Sequence, residues 1–402
     1  SSITLADGAI PVQVDNLTLI GPATRTLAID GAGTDRVFVH LGYGSFTIQD
    51  LTVRHGAARG TGFQTTGGGC LVSLGFLDLE HSTVTGCYSA AEGVYGGAIF
   101  AYNLTMQSST LTGNVAMGKH PATGTASWGG GAYVAYATLD RSTVSGNSAR
   151  HDAADPFANY GTGGGVFTNF GAYVAQSAVF GNDADTLGGG LASYDGIVAL
   201  DSTISGNHVR SGAGGGLSLR LFYGATLSNT TITNNTAPTG GGVYARLPFQ
   251  ALTLQSTIVA NNHGTVGADL AAASALLVDG ANNLVREVDA NTTLPPATLR
   301  SDPLLLPLAQ NGGPTPTHAL TIGSPAVDTG NNVNSQATDQ RGAGFPRVVG
   351  FGPDIGAFEG ALAAPVVFRP LPAPALSDWA RIVLAGVLAL GAAFAGGLRK
   401  RR

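Results

Sequence analysis

Ser142-Thr-Val-Ser-Gly-Asn147 decides the fold, because the chain keeps returning to it. Variants open at Ser82, Ser109, Ser177, Ser202, Thr230 and Ser256, and the start-to-start steps are 27, 33, 35, 25, 28 and 26 residues. The sixth place holds Asn114, Asn147, Asn182, Asn207, Asn235 and Asn261, with Cys87 in the first copy. A glycine run stands ahead of most copies, as at Gly129 to Gly131, Gly163 to Gly165 and Gly188 to Gly190. Self-similarity at this period is the signature of a solenoid, in which a unit too small to bury a core alone stacks on its neighbours.

Counting back five residues from the aliphatic of each copy gives Leu79, Met106, Leu139, Val174, Ala199, Leu227 and Thr253, and counting back seven gives Leu77, Leu104, Ala137, Ala172, Ile197, Ala225 and Ala251. The residues between them are mixed: Asp78, Thr105, Thr138, Tyr173, Val198, Thr226 and Leu252. A period of two makes these segments strands with one face inward. By the same parity Ile204 faces in and Thr203 faces out. Units of 25–35 residues with about three short strands fit one coil of a right-handed parallel β-helix. Asn at a turn is expected to take the left-handed conformation and to stack its amide from coil to coil. Less regular coils precede residue 56, so the solenoid is expected over residues 1–290, a rod on the order of 50 Å long.

Composition agrees with a tightly turned scaffold. Of 402 residues 60 are glycine, and charged residues reach only 11% against about 25% in ordinary soluble proteins. A net charge of −5, with lysine only at Lys119 and Lys400, gives no basic stripe for nucleic acid. None of the glycine runs leads into Lys-Ser/Thr, so they read as corners and not as phosphate cradles. Two cysteines, Cys70 and Cys87, exclude a four-thiolate metal site; a disulfide and two buried thiols both remain open.

From residue 291 the repeat stops and proline becomes frequent. The segments Asp302-Pro303, Gly323-Ser-Pro-Ala-Val-Asp328, Thr338-Asp-Gln-Arg-Gly342 and Asp354-Ile-Gly-Ala-Phe-Glu359 resemble the choice-of-anchor Q domain, which follows β-helices in bacterial surface proteins. Residues 291–359 are therefore expected to form a small module, in which Asp339, Arg341, Asp354 and Glu359 hold one another by ion pairs. The repeats are similar to those of right-handed β-helix and polymorphic outer-membrane-type proteins. After a Pro/Ala linker at 360–375, residues 376–402 contain an uncharged run from Ile382 to Leu398 and the basic end Arg399, Lys400, Arg401 and Arg402. A transmembrane helix is expected there, with Trp379 at the interface and the basic end cytoplasmic. Pro374, Leu376, Ser377 and Trp379, with that run and tail, resemble the IPTL-CTERM sorting signal, although Ala373, Ala375 and Ala380 replace its Ile, Thr and Gly. The resemblance implies an exosortase-type transpeptidase as partner and export to the envelope or surface of a Gram-negative bacterium, which in turn requires a signal peptide removed upstream of Ser1.

β-helices include polysaccharide lyases and glycosidases, so acids on one face matter. Glu80 and Asp140 share a column two coils apart, roughly 9–10 Å, and Asp201 is the third catalytic candidate. Asp152, Asp155, Asp183 and Asp185 are candidate calcium ligands near one edge, with His151 and His208 as solvated loop histidines. No other cofactor is indicated. The columns are otherwise Thr, Ser and Asn, with Tyr133, Tyr136, Tyr173 and Tyr194 nearby, which suits a structural or adhesive, glycan-binding role. The alternative is an enzyme acting on an acidic polysaccharide.

Overall fold

Each repeat closes one coil. In the computed structural model, which describes residues 1–59, 67–91, 93–118, 126–151, 160–246 and 250–362, Thr143–Ser145 lies parallel to Thr110–Thr112 of the coil before and to Ala178–Phe180 of the coil after. Leu111, Val144 and Val179 thereby stack. Eleven such strands, from Ser2–Thr4 to Leu284–Val285, make the motif sheet. The residues after each sixth position form a second sheet of six strands, and long strands such as Ile99–Gln107, Ala132–Asp140 and Val166–Ala175 form the remaining face. Among the described residues every strand ladder is parallel and there is no helix. The chain is an all-β solenoid of stacked parallel strands, as its repeat implies.

The inward positions fill the core. Leu79, Met106, Leu139, Val174, Ala199, Leu227 and Ile204 are all fully buried, and burying a side chain of the larger kind contributes about 1.5–3 kcal/mol. In the last copy the reading frame of the sequence is one residue off: Thr231 pairs with Ile258 and Ile232 with Val259, so Leu252, Leu254 and Val259 point inward and Asn262 takes the sixth place. Doubled Ser256-Thr257 and Asn261-Asn262 fit either frame, and only the frame that buries both leucines is stable, since a one-residue slip would turn every side chain to the other face.

Each coil bends at fixed left-handed corners. His81, Ser108, Arg141, Gln176, Asp201, Asn229 and Ser256 all have φ between 44° and 49°, a conformation that costs a non-glycine residue about 1–3 kcal/mol and persists only because the stack over-determines it. The sixth-place Asn was expected in that conformation and is not. The preceding residue takes it, glycine in most coils and Asn234 and Asn261 in the last two, while the sixth-place side chains are buried and bonded into a ladder. Asn147 Nδ2 donates to the Leu111 carbonyl (2.9 Å) and to Asn182 Oδ1 (3.0 Å), and Asn147 Oδ1 accepts from the N–H (3.1 Å) and Nδ2 (2.9 Å) of Asn114. The pattern repeats through Asn182, Asn207, Asn235 and Asn262, where Asp269 Oδ1 closes it.

The third glycine of each run lies against this ladder. A Cβ on Gly131 or Gly190 would sit 3.1 Å from Cγ of Asn147 or Asn207. Backbone hydrogen bonds place Cys70 in the same column, through Ala98 to Gly131. Where Cys87 replaces Asn, Cys70 stands where glycine would, and the two form a disulfide with Cα atoms 5.6 Å apart.

Residues 300–359 lie along the motif sheet. Thr203, expected to face solvent, is fully buried beneath them, its Oγ1 donating to Gln340 Oε1 (2.6 Å). Ser205 meets His318 Nε2 (2.8 Å), the Ala357 N–H donates to Thr231 Oγ1 (3.0 Å), and Ile258, Leu284, Leu320 and Ile355 share a small core. The expected ion pairs of the module extend onto the solenoid. Arg341 pairs with Asp339 (2.6 Å), and fully buried Arg347 lies 3.6 Å from both Glu359 and Asp201.

Candidate ligand-binding groove

The long strands carry an irregularity that the motif strands lack. Ala101 pairs with Ser73 but Asn103 with Phe76, and Val134 pairs with Thr168 but Tyr136 with Gly171, so one strand of each pair has an extra residue at the bend. Such bulges kink the strand and re-aim the side chain beside them. Phe76, Tyr102, Tyr136 and Phe170 stand at this bend, each about half-exposed, and Tyr223 projects at 88% exposure two coils further on. Tyr102 and Tyr136 rings are 6.4 Å apart and Tyr136 and Phe170 rings 5.3 Å, so these three follow one another along the axis. Behind it runs a second row, in which Phe100, Tyr133 and Phe167 stack nearly parallel at 5.7 and 5.3 Å and Tyr194 meets Phe167 edge-on at 4.9 Å. Tyr133 accepts from Asn169 Nδ2 (2.8 Å), and burial pushes its phenol up.

Between the rows opens a cleft of about 540 Å³ lined by Asn169, Phe170, Tyr194, Asp195, Arg220, Phe222 and Tyr223. It runs on past Tyr136 and Tyr173 on one side and toward Thr226 and Gln250 on the other, sharing Tyr223 with both continuations. The Arg220 guanidinium lies 5.1 Å from the Tyr194 ring centre and 4.8 Å from that of Phe222, within cation–π range. Asp195 is a positioning group. Its Oδ1 accepts from the N–H of Gly196 (2.9 Å) and of Tyr223 (3.0 Å), which ties the Tyr223 turn to the coil before. Rigid ring faces beside a few fixed polar groups are the ordinary make-up of a binding cleft.

The acids singled out in the sequence fall elsewhere. Glu80 and Asp140 both pair with Gln107, which confirms one column two coils apart, and Asp140 is engaged by Arg141 at 2.7 Å; neither lines the cleft. Asp201 is not available to a substrate. It lies under residues 300–359, only 2% exposed, where burial outweighs Arg347 and pushes its carboxyl up to about 7. Asp183 is held by His208 (2.8 Å) and Arg210 (2.8 Å), and Asp185 by His151 (2.6 Å), so these histidines are partners of the two acids and not free in solvent. Asp152, Asp155, Lys119 and the sorting-signal residues Pro374, Leu376, Ser377, Trp379 and Arg399 to Arg402, with the expected transmembrane helix, lie outside the described residues.

Of the groove, Tyr136, Tyr173 and Tyr194 were visible in the sequence; Phe170, Arg220, Phe222 and Tyr223 were not. The signal exists: an aromatic stands eight or nine residues ahead of the inward aliphatic at Phe76, Tyr102, Tyr136, Phe170 and Tyr223. The bulge makes the count alternate between eight and nine, which hides the column from a fixed period. No family model, no curated protein and no solved structure matches the chain.

Proposed function

We propose that the chain is an exported, surface-anchored right-handed β-helix that binds an extended glycan along the aromatic groove. The observation that carries this reading is the continuity of the cleft across successive coils, with Tyr136, Phe170 and Tyr223 along one edge and Tyr194 in the row behind them. A polymer of sugar rings offers alternating C–H faces and hydroxyls, and a row of flat apolar rings edged by Asn169, Thr226 and Gln250 matches that alternation. Right-handedness follows from the rule for parallel crossover connections. Anchoring is supported by the choice-of-anchor-like segments at 300–359 and by the apolar run and basic tail of residues 382–402, which suit a membrane-spanning sorting signal handled by an exosortase-type enzyme. Glycan contact in this reading is adhesion.

Affinity electrophoresis of the protein through gels cast with soluble polysaccharides tests it. Tyr223→Ala and Phe170→Ala are each expected to weaken retention about five- to tenfold, the worth of one ring-face contact. Retention equal to wild type in both variants would remove the groove from the binding surface.

A further inference from the structure

The geometry points to an anionic glycan as the occupant of this groove, held through its carboxylate or sulfate groups by Arg220 and, one coil on, Arg246. This rests on the glycan reading above and goes beyond it in naming the charge of the ligand.

Several described arginines pair with acids, Arg210 with Asp183, Arg341 with Asp339 and Arg347 with Asp201 and Glu359, while Arg286 and Arg300 bond to an amide and a carbonyl oxygen. Arg220 and Arg246 have neither kind of partner among the described residues, and no acidic oxygen there lies within 4.0 Å of either. Arg220 Nε is inaccessible to solvent and without a hydrogen-bond partner, although the guanidinium lines the cleft between the Tyr194 and Phe222 rings. A buried donor left unpaired is costly, and a charged one more so, unless a ligand completes it. The ring sandwich fixes the planar fork in place, which suits it to two-point capture of a carboxylate or sulfate at little further entropic cost.

The register supplies the second charge. Leu219 pairs with Ala245, and the ladder continues with the Arg246 N–H donating to the Leu219 carbonyl (2.7 Å), so Arg246 follows Arg220 in the column that begins at Tyr194. Adjacent coils are separated by about 4.8 Å. Two arginines in one backbone column along the axis would present a repeating positive charge to a polymer that runs on from the cleft. The Asp195 carboxylate brings a negative charge to the edge of the same cleft, but its Oδ1 is engaged by the N–H groups of Gly196 and Tyr223 and it forms no ion pair with Arg220, so the guanidinium is left for an incoming anion.

Binding of the protein to polygalacturonate, alginate, dextran sulfate and neutral dextran, read at low and high NaCl, tests the assignment, with Arg220→Gln and Arg220→Lys as variants. Wild type is expected to bind the charged polymers and release them as salt rises. Arg220→Gln should weaken that binding about tenfold or more and flatten its salt dependence, while Arg220→Lys keeps the salt dependence and loses part of the affinity. Preference for the uronates over dextran sulfate identifies carboxylate as the recognised group, and the reverse preference identifies sulfate; either supports the proposal. Equal binding of neutral dextran, indifferent to Arg220→Gln but sensitive to Tyr223→Ala, would overturn the anionic assignment and leave the groove standing. Binding of no polymer would overturn both.

Discussion

Asn182→Leu is the most direct probe of what holds the coils in register. The substitution keeps the number and branching of the side-chain heavy atoms, so it opens no cavity and the loss it causes comes chiefly from polar groups. Asn182 Oδ1 accepts from the N–H and the Nδ2 of Asn147, each at 3.0 Å, and Asn182 Nδ2 donates to the Val144 carbonyl (3.0 Å) and to Asn207 Oδ1 (2.9 Å). Leucine at 182 strands two donors of Asn147 in a place where Asn147 and Val144 are both fully buried. An unsatisfied buried donor costs about 1–3 kcal/mol; two of them, with part of a carbonyl, give a loss of about 3–5 kcal/mol. Urea unfolding followed by circular dichroism measures it, provided the slope against urea is unchanged. Asn234→Gly is the control: Asn234 has φ 57° at the neighbouring corner, which glycine adopts freely, so stability should move by less than about 1 kcal/mol. A loss below 1 kcal/mol for Asn182→Leu would mean that apolar packing alone sets the register and that the amide ladder is a passenger.

Docking of residues 300–359 should depend on pH. Burial raises both Asp201 and Glu359 to about 7 in the fold, against values near 4 in the unfolded chain. Between those limits the folded state binds more protons than the unfolded one, so stability is greatest below about pH 4–5 and falls as pH rises toward 7, by about 1.4 kcal/mol per unit for each group at most, then levels off. Thermal midpoints at pH 5, 6, 7 and 8 check the sign, and Asp201→Asn should reduce the slope; a midpoint that climbs from pH 5 to 7 contradicts it. Thr110→Asp and Thr203→Asp sit in one column of the motif sheet, but only Thr203 is covered. The first should cost less than about 1 kcal/mol and the second several, with early proteolytic release of the C-terminal segment; equal losses would mean that the segment does not sit where Gln340 meets Thr203.

How far the sequence carried can be judged residue by residue. Leu79, Met106 and Leu139 were legible as core because strand parity is a local property and repetition averages out its noise. Val259 was misread as Ile258 because a doubled Ser-Thr and a doubled Asn leave parity undecided, and only packing against Ile232 chooses. Thr203 and Asp201 were misplaced for a different reason: what covers them comes from residues more than a hundred positions away, and nothing in the repeat records that contact. The disulfide had a readable cue in hindsight, since Cys87 and Cys70 replace the two members of an Asn–Gly pair together. The groove stayed hidden because its residues sit where unit lengths vary, and because Arg220 becomes informative only in the fold, where no acidic oxygen lies within 4.0 Å of it among the described residues.

The bridge between Cys70 and Cys87 also changes how the rod bears load. A solenoid pulled by its first coil gives way one turn at a time, each turn parting from the next like a zip. At Cys70 the peeling meets a covalent shortcut: tension crosses directly to Cys87, whose backbone N–H is bonded to Asn114 Oδ1 at the head of the amide ladder. The loop between the two cysteines is taken out of the line of force. The rod therefore behaves as a compliant leader of early coils joined to a stiffer shaft, and the rivet stands where one becomes the other.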